Sequence, residues 1–112
     1  MLRALTQARA GEHGPATQEA DALVAQAPSG GSVRYNAACV YALAAAVAAD
    51  APVADGYAAR AVTLLAEART AGFFRMSGSR TKLARDPDLA VLRSRADFQK
   101  LQQEVEKESM RD

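Results

Sequence analysis

The side chains with which this sequence could do chemistry are Cys39, His13 and the pair Asp86 and Asp88. A cysteine nucleophile needs a base beside it, and the helix that carries Cys39 offers none. Cysteine is also among the residue types most often buried, so Cys39 reads as a packing residue. His13, the only histidine, lies in a glycine-flanked turn and reads as solvated. A zinc site needs clustered cysteines and histidines, and the sequence has no such cluster. Asp86 and Asp88 could be a carboxylate pair for a metal ion. They flank Pro87, however, and proline suits the first helical position, so Asp86 is expected to cap a helix and Asp88 to meet its dipole. Gly30-Gly31 precedes a helix as phosphate loops do, but it lacks the lysine and the full glycine spacing. It reads as a linker. The expectation is a protein that is not an enzyme, with no cofactor and no metal. A catalytic pocket would have to join Cys39 to His13 or Asp50, which fall at separate helix ends.

The elements that position these residues are helices cut by breakers. Residues 1–10 read as a helix stopped by Gly11. Gly14-Pro15 starts the next, and Pro28-Ser29-Gly30-Gly31 ends it. Ser32 is the expected N-cap of a long helix running to about Asp50, which Pro52 breaks. Asp55 is expected to cap a further helix over 56–71, and Gly72 stands where a helix takes its left-handed C-terminal residue. A helix over 78–85 follows Phe73 and Phe74. Asp86-Pro87 then opens a short helix carrying Leu89 and Leu92. Ser94, with Asp97 three residues on, resembles a capping box. In the last helix Phe98, Leu101 and Val105 share one face. No segment alternates as a half-buried strand would.

Composition agrees. Hydrophobic residues make up 49% of the 112 residues but aromatics only 5%, so the apolar content is mostly Ala, Leu and Val. Such a chain packs helices closely. Fourteen basic against thirteen acidic residues leave a net charge of +1, without the basic excess that nucleic-acid binding needs. Membrane-surface adhesion is disfavoured on the same ground. The uncharged run over 36–49 is shorter than the ~20 residues of a membrane span. The N-terminal residues lack the apolar centre of a signal peptide, and the lone cysteine suits a reducing compartment. Cytoplasmic residence is expected.

The spacing of small residues carries a further reading. Ala16 and Ala20 stand four residues apart, with Pro28 following. The string Tyr35-Asn36-Ala37-Ala38-Cys39-Val40-Tyr41 has small residues and a tyrosine at repeat positions, and Ala61 with Leu65 matches the partner helix. This register resembles the tetratricopeptide repeat, a helix–turn–helix unit of about 34 residues. Arg34 stands at the repeat's Trp site, Gln7 at the first unit's Tyr site, and Phe73 replaces the terminal proline. The stretch from Gly72-Phe73-Phe74 through Leu83, Asp86-Pro87, Leu89, Leu92 and Phe98 to Leu101 resembles the closing segment of repeat tails in bacterial Ser/Thr protein kinases.

The resemblance implies an all-α fold, an α-α superhelix of antiparallel helix pairs with a C-terminal capping helix. One domain is expected over 1–107: a first unit 1–30, a second unit 31–72 with an insertion, and a degenerate unit or cap 73–107, followed by a frayed tail 108–112. Ala38 and Ala61 would let the paired helices approach, and Leu89, Leu92, Phe98 and Leu101 would cover the helix of Leu64 and Leu65. The resemblance also implies a protein–protein interaction module, part of a larger signalling protein, whose groove holds a partner protein or peptide. By register the groove residues are Tyr35, Asn36, Cys39, Ala42 and Leu43. The carboxylate clamp of chaperone-binding members is not expected, because Met1 and Leu5 stand at its other positions. Arg75 and Arg80 lie near the groove's end, where they could meet an acidic ligand. The alternative reading is a structural module that pairs two copies of the chain.

Overall fold

The computed structural model describes residues 13–26 and 30–111. The expected helix over 1–10, with Met1, Leu5 and Gln7, lies outside the described residues. Among those described there are five α-helices, two short 3-10 turns and no strand, which makes the fold all-α. The helices are α1 (His13–Gln26), α2 (Gly31–Val47), α3 (Ala51–Thr70), α4 (Ser77–Arg85) and α5 (Ala96–Arg111). The 3-10 turns span Phe73–Arg75 and Pro87–Leu92.

The starts of α2 and α3 differ from expectation. Helix α2 is capped by Gly30, not by Ser32, which lies inside its first turn. Gly31 is more than a linker: a Cβ there would lie 3.0 Å from that of Phe73, so only glycine lets the start of α2 meet the Phe73 turn without displacement. Helix α3 starts after Asp50, whose carboxylate accepts from the Val53 amide at 3.3 Å. Pro52 sits in the first turn, where its missing N–H leaves no bond unmade. The expected break at Pro52 is therefore the beginning of α3. Asp55 lies within that helix and accepts from Arg95 at 2.7 Å. With residues 48–50 as the whole connection, α2 and α3 form an antiparallel hairpin.

Ala38 of α2 and Ala61 of α3 are both fully buried, as small residues at a close helix pair must be. Around them Val40, Leu64, Leu65, Leu83, Leu89, Leu92 and Phe98 form one core with at most 1% exposure each. Helix α1 packs on α2, contributes Ala16, Ala20 and Val24 to the same core, and reaches α3 where Asp21 lies 3.8 Å from Arg60. Polar contacts tie the helices across their seams. Tyr41 donates to Asp21 of α1 at 2.8 Å, and Arg34 pairs with Glu67 of α3 at 3.2 Å. Arg69 of α3 holds Glu104 at 2.9 Å and also Glu108 of α5.

Gly72 takes a left-handed φ of 89° and ends α3 as expected. Beyond it the chain departs from the predicted arrangement. Phe98, Leu101 and Val105 turn inward together, but the Leu89–Leu92 turn packs chiefly on α2 instead of on the Leu64/Leu65 helix. Helix α5 begins at Ala96, so Ser94 does not open it, and Asp97 is held by Arg95 at 3.0 Å. Helix α5 continues through Lys107 to Arg111, and Glu108 is anchored to Arg69.

Candidate functional site

The five residues predicted to face a partner all belong to α2, and the chain's own C-terminal segment lies across Tyr35 and Cys39. Tyr35, Cys39 and Ala42 are buried, while Asn36 and Leu43 stay half-buried. The cover is assembled in steps. Gly72 turns the chain so that Phe73 stacks on the Tyr35 ring, with centroids 5.1 Å apart, and Phe74 meets it edge-on at 6.1 Å. After α4 the chain returns at Asp86. Its Oδ1 accepts from the Asp88 amide at 2.9 Å, the expected cap, while its Oδ2 accepts from the Tyr35 hydroxyl at 2.9 Å. The Cys39 thiol lies 3.9 Å from the same oxygen. Arg93 fixes the backbone of this return by donating to the carbonyls of Leu83 at 3.1 Å and Asp86 at 2.7 Å.

The electrostatics follow from this enclosure. Burial pushes the Tyr35 hydroxyl well above its ordinary range, and the neighbouring Cys39 and Asp86 push the same way. Burial also raises the Cys39 thiol, with Asp86 and Asp88 adding negative charge nearby. Cys39 is held as a neutral thiol, the reverse of the lowered pKa that activates a cysteine nucleophile.

Sequence reasoning kept Cys39 apart from Asp86 and Asp88, and the fold unites them. One ligand atom from each of the three lies within 4.8 Å of the others. This is the donor set of a cation site in outline, but each group already has a part in the fold. Asp86 caps the turn and receives Tyr35, and the thiol points at the same carboxylate. The signal that could have found the grouping was Asp-Pro at a helix start beside an otherwise apolar α2. Asp50 lies at the opposite end of α2 from Tyr35, so it does not join the group.

What remains open on α2 is a stripe. Ser32, Asn36, Leu43 and Val47 fall on one side of the helix at spacings that return to the same face. Ser32 and Val47 are exposed, and Asn36 and Leu43 half-buried. The stripe runs into the α2–α3 tip, where Ala46, Ala49, Ala51, Pro52 and Val53 are exposed around the single charge of Asp50. Val47 and Val53 are 43% and 41% exposed. Arg75 is exposed beside α4, and Arg80 donates to the carbonyls of Phe74 and Arg75 at 3.0 and 2.9 Å. No helix among the described residues is long and apolar enough to cross a membrane.

Comparison with models of known protein families, with characterised proteins and with solved structures returns no match for this chain.

Proposed function

We propose that this chain is a non-catalytic interaction module of tetratricopeptide-like build that binds a partner protein or peptide through the open stripe of α2 and the adjoining hairpin tip. The observation that carries the reading is the largely exposed run from Val47 to Val53, in which Asp50 is the one polar side chain. Connections between helices are ordinarily polar, because their surface faces water. A contiguous apolar patch at such a place marks a contact surface. Asn36 and Leu43 belong to this surface. Tyr35, Cys39 and Ala42 support it from beneath as part of the core. The stripe is narrow, so it suits a short segment or one helix face seated along α2, as in helix-in-groove recognition. Cytoplasmic residence and a place in a larger signalling protein belong to this same reading.

A photo-crosslinking residue at Val47, in protein exposed to lysate of the source organism, tests it. A discrete adduct is expected, lost when Val53→Asp is added and absent when the crosslinker is placed at exposed Thr63. An adduct with the mass of two copies would favour the self-association reading. Equal labelling from both positions, or none, removes the surface from consideration.

A further inference from the structure

A second surface, distinct in place and chemistry from the α2 stripe, lies on α4. Residues 68–85 carry five cations, Arg69, Arg75, Arg80, Lys82 and Arg85, and no anion. Arg69 is spent on Glu104 and Glu108. Arg80 is aimed by the carbonyls of Phe74 and Arg75, which orient its guanidinium without neutralising it. Arg75, Lys82 and Arg85 are exposed, and among the described residues none has a carboxylate within ion-pair distance.

Helix geometry sets these charges around a groove. In α4 only Ser79 and Leu83 are buried, so one narrow edge anchors the helix and the rest faces outward. Ser77, Thr81 and Ala84 recur at i, i+4 and i+7 and form a floor of small side chains. Arg80 and Arg85 stand on its two sides. Glu106 and Ser109 of α5 form the opposite wall, enclosing about 440 Å³. The dipole of α4 accounts for Lys82 and Arg85 in its last turn. It does not account for Arg75 and Arg80 at the other end, where cations oppose the dipole.

We infer that this groove binds an acidic peptide segment of a partner protein, its glutamates or aspartates reaching Arg80 on one side and Arg85 and Lys82 on the other. A floor of small residues admits a backbone, and flanking cations read side chains that leave it on both sides. The wall decides between polyanions. Glu106, which faces the groove from α5, repels the continuous charge of a nucleic acid strand. A peptide can place its acids against the arginines and a neutral residue against Glu106.

The test uses the whole chain and a fluorescein-labelled peptide in which glutamate alternates with serine and leucine, followed by fluorescence anisotropy at physiological salt. Saturable binding is expected, weakening as salt rises because these charges are solvent-exposed. Lys82→Glu with Arg85→Glu is expected to lower affinity about tenfold or more. The same variant should gain affinity for a probe carrying lysine in place of glutamate. Lys100→Glu with Lys107→Glu makes the same change in net charge on the side of α5 turned away from the groove, and should leave binding within about twofold. No binding by the unaltered chain, or equal loss in the two variants, overturns the inference. So does tighter binding of a single-stranded oligonucleotide or of phosphatidylserine vesicles than of the peptide.

Discussion

The Tyr35 hydroxyl donates to Oδ2 of Asp86 at 2.9 Å, joining residues 51 apart in sequence. This bond fastens the C-terminal cover to α2, because the same carboxylate also caps the Pro87–Leu92 turn. Hydrogen bonds to a charged group contribute about 1.5–3 kcal/mol. Tyr35→Phe is therefore expected to lower unfolding stability by roughly that amount in urea titrations. Asp86→Ala should cost more, since it also removes the cap. The double variant should fall short of the sum, and strict additivity would show that the two residues act separately.

The α2–α3 hairpin depends on small side chains at its seam. Ala61→Leu inserts volume at a fully buried position and should destabilise by about 1–3 kcal/mol. Ala66→Leu, on the exposed side of the same helix, should stay within about 0.5 kcal/mol of the parent. Thermal unfolding followed by circular dichroism compares the two, and equal effects would deny a tight seam.

Alkaline pH should loosen the fold. Burial, with help from the Asp21 hydrogen bond, pushes Tyr41 from its ordinary 10.0 up to about 12. Tyr35 and Cys39 are raised as well. Each raised group favours the protonated folded state. The stability it contributes is present below its unfolded pKa and is lost as pH rises through the folded value. For Tyr41 that window runs from about 10 to about 12. Urea midpoints measured across it should fall, and Tyr41→Phe should make the fall shallower. A flat profile would contradict the buried environment of these hydroxyls.

Gly72 tests the turn that brings Phe73 onto Tyr35. Its left-handed φ of 89° suits glycine, and Gly72→Ala is expected to cost about 1 kcal/mol or more. A weaker near-ultraviolet circular dichroism signal from the aromatic cluster should accompany the loss. An unchanged melting temperature would remove Gly72 from the argument.

Most helix ends were legible because local chemistry sets them. Gly72 and Asp86-Pro87 act within a few residues of themselves, and Phe98, Leu101 and Val105 declare their face by spacing alone. Asp50 and Asp55 were harder to separate, because either aspartate can cap a helix. Pro52 reads as a breaker until its place in the first turn is known, where a missing N–H costs nothing. The candidate site was half legible. The sequence marked α2 as the helix with a special face, but the C-terminal return over Tyr35 and Cys39 is a tertiary event. Nothing near Leu89 or Leu92 says whether they lie on α2 or on α3. The union of Cys39 with Asp86 was hidden for the same reason, and so was the open stripe that the cover leaves beside Asn36 and Leu43.

The late return of the chain to α2 bears on where the protein can be cut. The α2–α3 hairpin is complete in the chain at Thr70, whereas the residues that cover Tyr35 and Cys39 come only after it, at Phe73 and Asp86. A chain cut after Thr70 would therefore leave the Tyr35 ring and the Cys39 thiol without their cover, and the hairpin alone would expose apolar surface to water.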